Sequence, residues 1–275
     1  MYETAYAELW GQKMTLSPRK WTAILLAGQR PGVDQLASHF GEAYKALVKV
    51  CGVAMVTRVV QTLIQSSEVT RVVVLAQDPA VLAGAVAAGG AATIITSTAG
   101  ISESIRAIAG TDDAPWPVLV TTADHPLLTA DCIEAFLWGA EDCDLAVAMV
   151  ERATILAAYP DTKRTWLRFR DGAWSGANLF ALNTERARAA LDLWAEAEQD
   201  RKRAWRLFLH FGPWLAIRAI TRTIGLAHAF DLAGQRLGLK VKLVALDFAD
   251  AAIDVDKPSD HSLAEHILQN RSNQA

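Results

Sequence analysis

Cysteine is scarce in this sequence of 275 residues, and a strong charge imbalance is missing from it. The three cysteines, at positions 51, 132 and 143, form no CxxC pair. We therefore expect neither a disulfide framework nor a cysteine-rich zinc site, and a reducing compartment is predicted. The net charge of −3 lacks the strongly basic balance that is typical of nucleic-acid-binding proteins, so no nucleic-acid partner is expected.

We also expect no segment that would direct the chain to a membrane. Residues 1–20 lack the basic and then apolar order of a signal peptide. Residues 79–102 carry no charge over a length that could span a bilayer, but they consist largely of Ala, Gly and Thr. This stretch predicts a surface helix, a turn and a short strand. We expect a cytoplasmic protein with no membrane partner.

What the sequence does contain is a series of short apolar runs separated by helical patterns. Hydrophobic residues make up 52% of the chain, which suits a globular protein. The first run, residues 21–27, is continuous, as in a parallel strand that is buried on both faces. Strands that alternate with helices predict βαβ units and a mostly parallel sheet. The further predicted strands are residues 71–76, 93–95, 118–122, 145–150, 177–182, 241–248 and 253–256.

The length of the chain favours a single domain over residues 1–275, because single cores stop growing at roughly 250–300 residues. Within this domain we expect an α/β core over residues 20–182 and 240–268. Residues 183–239 are helical in pattern and rich in Trp and Arg, so they predict a helical insertion. A basic cluster at residues 200–206 indicates either a solvated helix face or a surface for an acidic acceptor or a partner.

Four polar segments are placed where an open parallel sheet binds ligands, outside the carboxyl ends of its strands. The first, LLAGQRPG at 25–32, matches neither GxGxxG nor GxxxxGK[ST], which disfavours a dinucleotide fold and excludes a P-loop. Its glycines and Arg30 suit a phosphate, although a plain surface turn has a similar composition. The second is KALV at 45–48, in which Lys45 alone is typical of a solvated charge.

Acidic residues mark the other two segments. Asp124, in TTADHPLL at 121–128, follows a buried predicted strand, where a carboxylate is well placed to hold a hard cation. Helix capping is the alternative for Asp124, and His125 beside it is expected to be structural. In IDVDKPSD at 253–260, we expect one of Asp254 and Asp256 to join a given site, with strand-end solvation and helix capping as the alternative.

Taken together, these segments resemble the MobA-like nucleotidyltransferase family of the GT-A type. The corresponding segments occur here in the family's order, as LLAGQRPG, KALVKVCGVAMV at 45–56, TTADHPLL and IDVDKPSD. The resemblance covers nearly the whole chain apart from its ends and residues 185–240, and it implies a three-layer α/β/α, Rossmann-like fold. The chain departs from the family at Gln29, which replaces a second glycine, and at Tyr44 and Ala54, which replace prolines.

The resemblance also implies roles for individual residues. Arg30 would line the triphosphate and the base, Lys45 would neutralise the charge that develops on phosphate, and Asp124 would hold Mg²⁺; these three would be the catalytic residues. Asn178 would lie on the acceptor side of the cleft. The implied metal ligands are Asp124 and one of Asp254 and Asp256. The residues implied for nucleotide binding are Ala27, Gly28, Gln29, Arg30, Lys45, Ser104, Thr122 and Ala123.

The activity that these roles imply is an Mg²⁺-dependent transfer of a nucleoside monophosphate from an NTP to a small phosphorylated acceptor. Pyrophosphate would be released, and CTP or GTP is favoured as the donor. Two alternatives stay open at this point: a GT-A glycosyltransferase that uses an NDP-sugar, and a non-catalytic nucleotide-binding protein on the same scaffold. The sequence also leaves open the acceptor and the oligomeric state, with a homo-oligomer among the options.

Overall fold

A computed structural model of the chain describes residues 20–29, 32–97, 100–199 and 212–274. Arg30 and the basic cluster at residues 200–206 lie outside these ranges. Strands and helices alternate along the described chain, and two short antiparallel strands, β2 and β3, form a separate hairpin. The strands are β1 (Trp21–Leu26), β2 (Lys49–Val50), β3 (Val53–Ala54), β4 (Val69–Ala76), β5 (Thr93–Thr96), β6 (Val118–Thr122), β7 (Leu145–Glu151), β8 (Leu167–Phe169), β9 (Gly172–Leu182) and β10 (Val241–Leu246).

The helices begin where the sequence supplies caps. The Asp34 carboxylate accepts from the Ala37 N–H at the start of the first helix, and the Thr129 hydroxyl accepts from the Cys132 N–H at another. The helices are α1 (Gln35–Phe40), α2 (Met55–Gln65), α3 (Pro79–Gly89), α4 (Ile101–Ile108), α5 (Ala130–Gly139), α6 (Arg152–Ala158), α7 (Arg188–Gln199), α8 (Pro213–Ile220), α9 (Leu226–Leu237) and α10 (Pro258–Gln274).

Eight of the described strands form one sheet, in the order β10-β7-β9-β6-β1-β4-β5, with β8 paired to β9. The pairs β10–β7, β6–β1, β1–β4 and β4–β5 are parallel. β9 runs antiparallel between β6 and β7. The sequence-based prediction of an α/β fold with a mostly parallel sheet is therefore confirmed.

The two faces of the sheet are covered by helices, which gives the three layers. Successive residues of β1 point to opposite faces: Ala23 and Leu25 belong to one buried cluster, and Ile24 belongs to the other. The first cluster includes apolar residues of α2, α3, α5 and α10. The second includes residues of α4 and α7. Both faces of the central strands are thus apolar, as the continuous run predicts.

The described helices between residues 183 and 239 lie against the rest of the fold. α7 packs on α4, and α9 packs on β10 so closely that a Cβ on Gly234 would lie 2.8 Å from the Val241 side chain. The division of the chain into a core and a helical insertion remains a prediction. No helix among the described residues combines the length and the apolar character that crossing a bilayer requires.

The predicted strand at residues 253–256 is wrong. A short 3-10 helix, Ala249–Ala252, precedes this segment, and residues 253–256 form no ladder with a neighbouring strand. A backbone hydrogen bond of 2.9 Å, from the Val255 N–H to the Asp124 carbonyl oxygen, fixes the segment instead. Ile253 and Val255 are fully buried. Their burial explains the strand-like pattern, because an extended segment needs no ladder to bury alternate side chains.

Candidate functional site

The carboxyl ends of β1 and β6 lie side by side and position the first part of the site. Leu26 pairs with Thr122, and the Ala123 N–H donates to the Leu26 carbonyl oxygen at 3.0 Å. The chain then turns, so that Asp124 lies directly beyond the edge of the sheet. Because Val255 binds the Asp124 backbone, the segment that contains Asp254 and Asp256 is held at the same place.

Three carboxylates converge at this edge. Asp124, Asp254 and Asp256 each offer an oxygen atom, and these atoms all lie within 4.8 Å of one another. The sequence left Asp254 and Asp256 as alternatives, but the structure brings both to Asp124. Residues two apart in an extended segment lie on the same side of the chain, with the buried Val255 on the other.

Lys45 supplies a positive charge to this cluster. Its Nζ lies 2.6 Å from Asp124 Oδ2, and it also donates to Asp256 Oδ1. Burial acts to lower the pKa of Lys45, but the charges and hydrogen bonds of the two carboxylates outweigh it, and the pKa is raised. Lys45, with 18% of its side chain exposed, is therefore a charged lysine rather than the solvated surface residue that its local sequence also allows.

Asp124 is held in the charged form by its neighbours. Its Oδ1 accepts from the Thr122 hydroxyl at 2.6 Å. Burial acts to raise the pKa of Asp124, whereas His125, the charge of Lys45 and the hydrogen bonds from Lys45 and Thr122 lower it, and the lowering prevails. The site therefore presents an ionised carboxylate at neutral pH.

His125 and Asn178 lie behind Asp124. The His125 ring is buried, and its Nε2 lies 2.8 Å from Asn178 Nδ2 and 3.9 Å from Asp124 Oδ1. Burial is the main cause that lowers the pKa of His125, against the charge of Asp124, which acts to raise it. Asn178 has a positive φ of 48° and lies where the register between β7 and β9 shifts. This bulge turns the amide of Asn178 toward the same end of the fold as Asp124.

Arg164 is part of the cluster and was not found from the sequence. It lies in the loop between α6 and β8, with 10% of its side chain exposed. Its guanidinium forms an ion pair with Asp254 and lies 3.9 Å from Asp260 Oδ1. The loop offers no periodic pattern or strand end that would have marked Arg164.

The opening loop is shaped by a second residue that sequence reasoning missed, Gln77. The Gln77 Oε1 accepts from the Gln29 N–H at 3.0 Å, and a Cβ on Gly28 would lie 2.7 Å from the Gln77 amide. A side chain at position 28 would therefore have to displace the Gln77 amide. Gln77 directly follows β4, so the strand-end rule that indicated Asp124 could have indicated it too.

Ser104 belongs to the side of the sheet that carries this loop. Its hydroxyl lies 2.8 Å from the Ser97 hydroxyl, just beyond the end of β5, and donates to the Gly100 carbonyl oxygen. Ala27 continues from β1, with its N–H bonded to the Leu75 carbonyl oxygen at 2.9 Å. Of the described residues assigned to the nucleotide, Ala27, Gly28 and Gln29 follow β1, Ser104 lies in the helix after β5, and Thr122 and Ala123 lie at the end of β6.

A cavity of about 600 Å³ lies at the opposite edge of the sheet, beside the first residues of β6, β7 and β10. Its carboxylate, Asp144, already accepts from the Thr184 hydroxyl at 2.8 Å and from the Lys240 N–H at 2.9 Å. The polar groups of this cavity thus serve the fold. The candidate site is therefore the other edge, at the carboxyl ends of the strands, where the carboxylates and cations cluster.

The donor set at that edge fits a hard divalent cation. Carboxylate oxygens are the ligands that Mg²⁺ prefers, and it is often held by one or two of them together with substrate phosphates. Lys45 and Arg164 are bonded to these same carboxylates. Two cationic side chains thus already pair with the cluster, as expected for a site that attracts positive charge.

Comparisons with known proteins agree with this geometry. A family model described as the MobA-like NTP transferase domain matches residues 23–209. The structure of a hypothetical transferase from Thermus thermophilus is similar with a TM-score of 0.74 and 28% identity, covering 88% of this chain and 99% of that one. Among curated proteins, no match to this chain is found.

Two further solved structures share the fold at lower identity. The 4-diphosphocytidyl-2C-methyl-D-erythritol synthase from Anaerococcus prevotii has a TM-score of 0.56 and 10% identity, over 92% of this chain and 97% of that one. A CMP:2-keto-3-deoxy-manno-octonic acid synthetase, solved in complex with CTP, has a TM-score of 0.57 and 15% identity, over 92% of this chain and 99% of that one. These likenesses support the Rossmann-like α/β fold.

Proposed function

Because the chain belongs to the family of MobA-like NTP transferase domains and is a nucleotidyltransferase, we propose that it uses Mg²⁺ to transfer a nucleoside monophosphate from an NTP to a small phosphorylated acceptor. An oxygen of the acceptor forms a bond to the α-phosphorus. The bond from that phosphorus to the bridging oxygen breaks, and pyrophosphate leaves with the electron pair. A cytosolic location is part of the proposal.

The observation that carries this proposal is the pair of ion pairs formed by Lys45. One ammonium group is bonded to two carboxylates from different segments, Asp124 and Asp256. The loop that contains Gly28 reaches the same region, since the Gln29 side chain donates to the Ala43 carbonyl oxygen. Phosphoryl chemistry of this type depends on positioning and charge neutralisation more than on covalent participation of the protein. A lysine beside a set of metal-type carboxylates supplies that neutralisation.

In this mechanism, different residues bind the metal, bind the substrates and position the carboxylates. Asp124, Asp254 and Asp256 would hold Mg²⁺, which when bound supplies charge stabilisation to phosphate oxygens. Lys45 would bind the triphosphate and stabilise the charge that moves onto pyrophosphate. Thr122 holds the Asp124 carboxylate in place through the bond to Oδ1. Asn178, and Arg30 in the opening loop, remain proposed contacts to the acceptor and to the nucleotide.

CTP is the first donor to test, since the similar synthetase structure was solved with CTP and the similar synthase is named for a diphosphocytidyl product. GTP is the second. Lys45 and the glycine-containing loop favour a triphosphate over the NDP-sugar of a glycosyltransferase, and the family match favours catalysis over binding alone.

The test combines nucleotide protection with pyrophosphate release. A ligand at 100 times its Kd stabilises the folded state by about 2.7 kcal/mol, so the donor should raise Tm in the presence of Mg²⁺. Lys45→Met should lose this protection, while Lys49→Met, which alters an exposed lysine four residues away, should keep it. Protection by an NDP-sugar but by no NTP would overturn the proposal in favour of a glycosyltransferase.

A further inference from the structure

A second cation contacts the carboxylate cluster at Asp254, a carboxylate other than the two that Lys45 contacts. Arg164 is paired with Asp254, and its Nη1 also lies 3.4 Å from the Asp254 carbonyl oxygen. Its Nε is buried and has no hydrogen-bond partner among the described residues. Arg164 is therefore a nearly buried guanidinium that still has donor capacity to offer.

The order of the strands places Arg164 and Lys45 on different halves of the site. Lys45 follows α1, and the Gln29 side chain of the loop after β1 donates to the Ala43 carbonyl oxygen two residues before it, on the half assigned to the nucleotide. Arg164 lies between β7 and β8, on the half that contains β9 and Asn178. Asp124, at the end of the central β6, lies between the two halves.

A divalent cation and a guanidinium compete for the same carboxylate. The Asp254 oxygen that lies within 4.8 Å of the other two carboxylates belongs to the side chain that Arg164 holds. A cation of charge +2 attracts that carboxylate more strongly than Arg164 does, so Arg164 loses part of its pairing. A guanidinium that is only 10% exposed then keeps Asp260, at 3.9 Å, and has donors available for a further anion. A phosphate matches its planar set of donors.

We propose that Arg164 binds the phosphate of the acceptor, and that Asp254 and Asp260 hold Arg164 until a divalent cation takes Asp254. This inference rests on the proposed function and names a residue of the acceptor site. Because the divalent cation must replace Arg164 at Asp254, acceptor binding depends on the metal. The acceptor therefore binds after the metal and the NTP have occupied the donor half of the site. Arg164 then faces Lys45 across the reacting groups, with one cation for each substrate.

The first arm of the test measures metal affinity without any nucleotide. Free Mn²⁺, which takes the same oxygen ligands as Mg²⁺, is measured by electron paramagnetic resonance. In Arg164→Met the competing charge is gone, so the Kd for Mn²⁺ should fall about tenfold. Arg164→Lys retains the charge and should stay near the wild-type value. An unchanged or higher Kd in Arg164→Met would show a merely structural arginine and overturn the inference.

The second arm measures binding of inorganic phosphate, the probe for the acceptor, by its effect on Tm. The protein is first saturated with Mg²⁺ and an α,β-methylene NTP analogue, so that the donor half is filled. Phosphate should then raise Tm in the wild type, and lose most of this effect in Arg164→Met and Arg164→Lys. The matched control is Arg152→Met, which alters an exposed arginine that lies over the Trp166 ring at 5.7 Å and should behave as wild type.

Two outcomes of this arm contradict the inference, and a third concerns the donor alone. The inference is overturned if phosphate raises the Tm of Arg164→Met as much as that of the wild type. It is also overturned if phosphate raises the Tm of the wild type equally without any divalent cation. If no NTP analogue binds, the proposed function fails, whereas the Mn²⁺ measurement still decides whether Arg164 competes with the metal.

Discussion

Replacing Asp124 by Asn separates the role of its charge from the role of its shape. The side chain keeps an oxygen for the Thr122 hydroxyl, now 2.6 Å from Oδ1, but loses the carboxylate that faces Lys45 Nζ at 2.6 Å. Lys45 keeps its second partner, Asp256. The substitution therefore removes one charge from the site and leaves the backbone and the packing unchanged.

The two expected magnitudes differ enough to be told apart. Loss of one preorganised electrostatic contact costs about 10²–10³ in kcat, or about 2.7–4 kcal/mol. The loss of stability should be smaller than the 3–5 kcal/mol of a broken buried pair, because Lys45 is not left unpaired. With 21% of Asp124 exposed, we expect about 1 kcal/mol. That cost corresponds to a fall in Tm of about 2–4 °C.

The assay is pyrophosphate release with the protective NTP and Mg²⁺, together with thermal unfolding of the free protein. The control is Asp131→Asn, the same chemical change at an exposed residue in the first turn of α5. A wild-type rate in Asp124→Asn would remove Asp124 from the site. A variant that is unfolded at the assay temperature would instead show that the carboxylate serves the fold.

Three smaller predictions follow from single contacts. Thr122→Val removes the bond to Asp124 and should slow turnover about fivefold with little change in Tm, so a wild-type rate would contradict its positioning role. Gly28→Ala must displace the flexible Gln77 amide and leaves a methyl group in its place on the loop that a phosphate would approach; it should leave urea stability within about 1 kcal/mol but weaken NTP protection, and unchanged protection would contradict a close approach of phosphate to Gly28. In the folded state burial acts to raise the pKa of Asp144, but the Lys240 N–H and the Thr184 hydroxyl lower it overall. Its stabilisation is therefore present above the unfolded pKa and lost as pH falls, so urea unfolding should show Asp144→Asn to be less stable at pH 7, with the gap closing below about pH 4. A gap that is constant with pH would refute that assignment.

Most of the sheet could be predicted because its strands are buried on both faces and therefore read as uninterrupted apolar runs. β1 and β6 were found in this way, and Asp124 was found because an acid follows such a run. β9 also has an apolar pattern, but its antiparallel direction could not be read from it. Strand direction depends on which neighbours pair, and hydrophobic periodicity carries no information on this.

The acidic segment shows where local reasoning failed and why. Asp254 and Asp256 were treated as alternatives, although residues two apart in an extended segment lie on the same side. Arg164 was missed for a different reason, since it is 90 residues from Asp254 and lies in an irregular loop. Only the three-dimensional structure shows that the Arg164 guanidinium contacts the carboxylates of the candidate metal site.

The opening loop shows how a departure from a family pattern can be compensated at a distance. Where relatives carry a second glycine, this chain has Gln29, which would be expected to alter the backbone that cradles a phosphate. The Gln77 side chain, 48 residues away, accepts from the Gln29 N–H and packs on Gly28, so the loop is held by a side-chain amide. A phosphate that binds this N–H must displace Gln77. We therefore expect Gln77→Ala to strengthen the protection of the protein by NTP against thermal unfolding. A loss of protection would contradict this and show that the loop depends on Gln77 for its shape.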